Sequence, residues 1–96
     1  MTDFPIQHDA AAQRFTTTVD GAQCELNYHL REGRDGTVLS IDHTGVPQAV
    51  GGRGIASALV TAAFALARQR QWKVDPACSY AATWAQRHAD VADLLA

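Results

Sequence analysis

Residues 22–31 alternate in character. Ala22, Cys24, Leu26, Tyr28 and Leu30 share one parity, and Gln23, Glu25, Asn27 and His29 share the other. A period of two sustained over that length predicts a strand with one face on a core and one toward solvent. Residues 14–19, just before it, are rich in β-branched and aromatic side chains, and Asp20-Gly21 separates the two runs. Asp-Gly between strand-like segments is a strong hairpin signal, because a tight turn needs residues that tolerate positive φ. A second turn follows at residues 32–36, and residues 37–44 read as a third strand. Three antiparallel strands in a meander are the economical arrangement. Residues 1–13 are left as an N-terminal lead-in.

The period changes after Gly45. Pro47 cannot donate to a ladder, so the strand stops before it. Gly51, Gly52 and Gly54 then place three glycines within four residues. Residues 55–70 follow a helical repeat, with Ile55, Leu59, Ala62 and Leu66 on one line and Val60, Phe64 and Ala67 beside it. An apolar stripe that wide suits a helix lying flat on a sheet, with Ser57, Thr61, Arg68 and Gln69 on an exposed edge. Residues 72–78 read as a short strand ended near Pro76. Reached through a helix, it lies parallel to the third strand by a right-handed crossover. Ser79 is placed to cap a second helix starting at Tyr80 with Ala81, Trp84 and Ala85 inward, and Asp90 to cap a last turn. The order is βββαβα, a minimal α+β fold in one compact domain over residues 14–96.

Composition narrows the class. Ninety-six residues with 47% apolar and 19% charged side chains describe one soluble domain. A chain of that size buries only about 60–65% of its unfolded surface, which leaves no room for a doubly wound nucleotide fold with a separate substrate domain. No run approaches the roughly 20 apolar residues of a membrane span, and no secretory leader is readable, so a cytoplasmic protein without a membrane partner is expected. The net charge of −2 gives no support for nucleic-acid binding. Its distribution says more. Residues 1–50 hold three arginines against seven carboxylates, net −4, and residues 51–96 hold five cations against three aspartates, net +2. A basic second half is compatible with an anionic ligand there, or with ordinary solvated surface.

Cys24 and Cys78 are far apart and form no C-x-x-C pair, which points to free thiols rather than a disulfide framework. With His8, His29, His43 and His88 they show no zinc spacing, so no metal is expected. Each cysteine can be a small buried hydrophobe or a reactive thiol. The glycine turn feeding a helix N-terminus is a generic anion site, since converging backbone N–H groups and the helix dipole both favour negative charge. It is not a P-loop, because Ile55 follows Gly54 where a lysine is needed. Nor is it a dinucleotide fingerprint, because Ser57 replaces its last glycine or alanine and only one crossover exists.

Gly51-Gly52-Arg53-Gly54-Ile55-Ala56 resembles the Q/R-x-x-G-x-G/A pyrophosphate turn of the GNAT superfamily of acyl-CoA N-acyltransferases. The wider frame is more specific. His43-Thr44-Gly45-Val46-Pro47, the glycine turn with Leu59-Val60, Lys73-Val74-x-Pro76-x-Cys78-Ser79, and Arg87-His88 together resemble the small YjdJ-type N-acetyltransferases over roughly residues 14–95. The resemblance implies a GNAT-like fold and an acetyl-CoA-dependent acetyltransferase acting on an amine, small-molecule or protein, that the sequence does not identify. It implies that Gly51, Gly52, Arg53, Gly54, Ile55 and Ala56 hold the coenzyme A pyrophosphate. Thr44 and Val46 splay from the next strand to meet the pantetheine arm, and Ser79 and Tyr80 complete the cofactor site. Cys78 is the implied catalytic residue. The chain departs from the pattern at Gly51, where Gln or Arg is usual, at Gly45, where an acidic residue is common, and at Ala89, where proline is common.

Acetyl transfer to an amine needs a base and donors for the developing oxyanion. His43, at the inferred splay, is the catalytic candidate beside Cys78, and Glu25 is a second candidate base or a solvated strand carboxylate. Tyr80 can reprotonate the leaving sulfur or serve as a rim aromatic. Cys78 can act in direct transfer or carry an acyl group, and His88 can assist it or cap the surface. A non-catalytic CoA- or acyl-CoA-binding module is the alternative reading. The expected assembly is a monomer or weak homodimer.

Overall fold

Asp20 and Gly21 both take positive φ, 50° and 79°, and bring Val19 opposite Ala22. The sheet grows from that hairpin in both directions. In the computed structural model, which describes residues 4–96, β1 (Gln7–Asp9), β2 (Arg14–Val19), β3 (Ala22–Gly33) and β4 (Gly36–Gly45) form an antiparallel meander. β5 (Lys73–Asp75) joins β4 in parallel, so the spatial order is the chain order, β1 to β5. The crossover carries α1 (Ile55–Arg70), and α2 (Ser79–Gln86) and a 3₁₀ helix (Ala89–Leu94) follow β5. This is the expected α+β arrangement with one strand more.

The additional strand lies in the expected lead-in. Gln7–Asp9 pairs with β2 because the His8 ring stacks on Phe15 at 4.4 Å and its Nε2 lies 2.6 Å from the Tyr28 hydroxyl. Three polar residues show no alternation, and side-chain contacts hold them instead. Met1 to Asp3, where that lead-in begins, lie outside the described residues.

One face of the sheet carries the core. β3 contributes Cys24 and Leu26, β4 Leu39 and Ile41, and β5 Val74, all fully buried. Leu30, the last residue of the predicted inward line, is exposed because the sheet runs past the helices there. α1 has its predicted limits, but it is rotated from the predicted stripe. Ile55, Leu59, Val60, Ala63, Phe64 and Ala67 are buried, whereas Ala62 and Leu66 are only half-buried. Phe64 stacks on Trp84 at 5.1 Å, so the helix serves both the sheet and α2. For the same reason Ser57 is no exposed edge residue: its hydroxyl accepts a bond of 2.9 Å from the Trp84 indole.

The C-terminal third departs from expectation in its boundaries. β5 ends at Asp75, where the Ala77 N–H bonds back to the Asp75 carbonyl and turns the chain. Cys78, not Ser79, caps α2. Its backbone is extended and its Sγ accepts from the Ala81 N–H, whereas Ser79 is already helical. His88 rather than Asp90 precedes the 3₁₀ helix, because the Val91 N–H bonds to the His88 carbonyl. The Ala96 N–H then bonds to the Val74 carbonyl and closes the edge of the sheet. No described helix is long and apolar enough to cross a membrane.

Leu59 has no exposed surface and sits between α1 and the sheet. Leu59→Ala is expected to lower the unfolding free energy by about 3 kcal/mol in urea titration. Gln69→Ala on the exposed side of the same helix changes it by less than about 0.5 kcal/mol.

Candidate functional site

Parallel pairing between β4 and β5 lasts three rungs, Val38–Lys73, Leu39–Val74 and Ser40–Asp75. One more backbone bond, 2.9 Å from the Cys78 N–H to the Ile41 carbonyl, ends it. The chain then turns into α2 while β4 runs on to Gly45, paired only with β3. Residues 42–45 therefore border a slot with no strand on their far side.

A β-bulge sits at the point of parting. Tyr28 opposes Ile41 and Asn27 opposes His43, which leaves Asp42 unmatched. A bulge adds local twist and re-aims side chains. Here it places His43 with Asn27 on the helix-free face, while Thr44, opposite Leu26, faces the helices. Cys78 meets Thr44 across the slot, with Sγ 3.6 Å from the Thr44 hydroxyl oxygen. The two expected catalytic residues are thus not a bonded pair. His43 sits over Gly45, where an added Cβ would come within 3.1 Å of its Nε2. Gln23, Glu25, His43, Gly45, Val46 and Pro47 line an open depression of about 420 Å³. A larger residue at Gly45 would crowd the His43 ring.

The glycine turn follows β4 in the chain and leads into α1. Gly52 and Gly54 take φ of 79° and 81°, a region that other residues enter at a cost, and a Cβ on either would point into open space. Gly54 is the N-cap of α1 and offers no side chain, and the first helical bond runs from the Ala58 N–H to the Gly54 carbonyl. The N–H groups of Ile55, Ala56 and Ser57 consequently have no backbone acceptor. Gly51 is extended and leads out of a buried anchor at Val50. Arg53 turns to the β2–β3 hairpin, its Nη1 2.6 Å from Asp20 Oδ2. Both partners are exposed, so breaking the pair costs under about 1 kcal/mol. Ser79 and Tyr80 open α2 with N–H groups that likewise precede its first helical bond, and Tyr80 is exposed at the rim. Two helix N-termini therefore follow the C-terminal ends of adjacent parallel strands, the place where open sheets bind ligands.

The remaining candidates separate cleanly. Cys24 is a buried core thiol, its pKa raised by desolvation, while Cys78 is half-buried and both are free. His88 stacks on Trp84 at 3.8 Å with Nδ1 2.7 Å from the Trp84 carbonyl. Its ring bonds the Trp84 carbonyl rather than Cys78. It belongs instead to a second cavity of about 290 Å³ lined by Phe64, Arg68, Trp84, Val91 and Leu94 among others. The alternation of β3 concealed one pairing: His29 Nδ1 lies 2.8 Å from Asp42 Oδ2 on the helix-free face. It depends on the bulge, which leaves no mark in hydrophobic period.

The GCN5-related N-acetyl-transferase family model matches residues 14–94. Among solved structures, the solution NMR structure of a GCN5-like candidate N-acetyltransferase from Staphylococcus aureus superposes with a TM-score of 0.74 at 26% identity, covering 100% of this chain and 91% of that one. No match is found among the curated proteins.

The thiols offer a direct check of this geometry. A soluble disulfide reagent is expected to label Cys78 in the native protein and Cys24 only on unfolding, read by mass spectrometry of the digested chain. Early labelling of Cys24 would contradict the packing.

Proposed function

Since the chain belongs to the GCN5-related N-acetyltransferase family, we propose that it transfers an acetyl group from acetyl-CoA to an amine in the slot between β4 and β5. The observation that carries this reading is the slot itself: the start of α1 without a side-chain cap, the start of α2 with two N–H groups ahead of its first helical bond, and a thiol–hydroxyl contact, Cys78 with Thr44, across the slot.

The residues present fit the cofactor. Gly52 and Gly54 leave open ground before the backbone, and the N–H groups of Ile55, Ala56 and Ser57 point out of a helix start with no acidic residue in its first turn. Gly51 to Ala56 hold the pyrophosphate, helped by the roughly half positive charge of the helix dipole. Arg53 leaves Asp20 for the phosphates at little cost. Thr44 and Val46, on the free flank of β4, meet the pantetheine arm, while the Ser79 and Tyr80 N–H groups at the start of α2 hold the acetyl carbonyl oxygen. Bound there, acetyl-CoA supplies an acyl group activated as a thioester.

The chain's own groups do the rest. Donors aimed at the carbonyl oxygen stabilise charge as it develops, in a site whose backbone is already in place. Cys78 stands where the acyl group arrives, and the Tyr80 hydroxyl at the rim returns a proton to the leaving sulfur. His43 and Glu25 line the depression on the other face, where the acceptor approaches.

Mass spectrometry of the protein mixed with acetyl-CoA, under native and denaturing conditions, tests the reading. One bound acetyl-CoA per chain and amine-dependent release of free thiol are expected. An acetyl group retained on Cys78 after denaturation would make the thiol a covalent carrier, and its absence would make transfer direct. Saturable binding with no amine-dependent thiol would leave a CoA-binding module, and no binding at all would overturn the reading. Gly54→Val, strained at positive φ and bulky before the helix start, is expected to weaken CoA binding about tenfold or more. Cys78→Ala with full turnover would remove Cys78 from the mechanism.

A further inference from the structure

The cavity between α1 and the C-terminal helices shares no residue with the slot. Phe64 on the second half of α1, Trp84 on α2, and Val91 and Leu94 on the 3₁₀ helix wall a space of about 290 Å³. That is the small end of the roughly 300–1,000 Å³ of small-molecule sites, room for one ring rather than for a cofactor. All four wall residues are buried, so the wall is apolar and packed from behind.

Its aromatic part is fixed before any ligand arrives. Phe64, Trp84 and His88 stack in turn, with ring centroids 5.1 and 3.8 Å apart. The Trp84 indole N–H donates to the Ser57 hydroxyl at 2.9 Å, and His88 Nδ1 lies 2.7 Å from the Trp84 carbonyl. Rings held in this way lose little freedom when a ligand binds, which favours affinity.

The polar edge of the cavity is one-sided. A carbonyl only accepts, so Nδ1 carries the His88 hydrogen, and the neutral ring keeps Nε2 as an acceptor. The Thr61 hydroxyl gives its hydrogen to the Ser57 carbonyl at 2.7 Å. His88 Nε2 and the Asp90 carboxylate have no hydrogen-bond partner among the described residues, and both side chains line the space. Arg68, the lining cation, turns both terminal nitrogens to Asp93 and to the Asp90 carbonyl. The edge therefore offers acceptors and lacks donors. An anion would meet Asp90 while Asp93 already holds the Arg68 guanidinium. Any full charge would also lose hydration against Phe64, Trp84, Val91 and Leu94.

We propose that this cavity is a binding site for a small neutral aromatic ring that carries a hydrogen-bond donor, the chemistry of a phenol, with its ring on the wall of Trp84 and Leu94 and its O–H donated to His88. The site is separate from the acetyl-transfer reading and does not depend on it.

The test titrates 4-methylphenol into the ¹⁵N-labelled protein, with toluene and 4-methylbenzoate as comparison probes. His88→Phe keeps a ring for the stack and removes the acceptor. Ala65→Phe, at an exposed lining position of α1, fills the space without entering the core. Saturable shifts are expected at the Trp84 indole N–H and at the amides of Phe64, His88 and Leu94. In the wild type 4-methylphenol binds about fivefold tighter than toluene, and 4-methylbenzoate gives no saturable shift. His88→Phe removes that fivefold advantage and leaves toluene binding unchanged, whereas Ala65→Phe abolishes both. Saturating CoA leaves the affinity for 4-methylphenol as it was. No saturable shift, equal affinities for 4-methylphenol and toluene in the wild type, or an advantage that survives His88→Phe would each overturn the proposal. Displacement of 4-methylphenol by CoA would assign the cavity to the cofactor and overturn it too. A protein that binds no CoA but meets the other expectations keeps this site, while the transfer reading fails on its own.

Discussion

The hydrogen bond from the Cys78 N–H to the Ile41 carbonyl is the last tie between two parallel strands, and the working part of the molecule depends on where it falls. One rung longer, β5 would cover the flank of β4 and close the slot. One rung shorter, Cys78 would not reach Thr44. The tie falls there because Pro76 cannot donate and because Ala77 folds back on Asp75, so the chain has turned before further pairing can form. Cys78 then serves twice, as the backbone donor of that last rung and as the side-chain cap of α2.

The same parting point divides the chemistry between faces. The bulge at Asp42 shifts the parity of β4, so Ile41 and Thr44, three residues apart, both face the helices while His43 faces away. Thr44 meets Cys78 on the side of the helix starts, and Glu25 and His43 line the depression on the other.

Much of this was legible in the residues. The Asp20-Gly21 hairpin, the alternation of β3 and the sixteen residues of α1 are local features, where period and turn chemistry decide the conformation. The glycine turn was legible for the same reason, since positive φ at Gly52 and Gly54 is written in residue type. What escaped depends on contacts between distant segments. β1 forms through His8 against Phe15 and Tyr28, and α1 rotates because Trp84 arrives to stack on Phe64. The His29–Asp42 pair needs a bulge, and a bulge is a property of two strands in register rather than of either alone.

The described elements are the sheet, its crossover helix and a short helical end. The account therefore places the donor on backbone groups and the acceptor on an open face. Its central claim, that the two helix starts beside the slot hold coenzyme A, is tested most directly by titrating the ¹⁵N-labelled protein with CoA and following the backbone amides. The account predicts saturable shifts concentrated at residues 51–57 and at Ser79 and Tyr80. Shifts centred instead on Phe64, Trp84 and His88, in the cavity between α1 and the C-terminal helices, would contradict it.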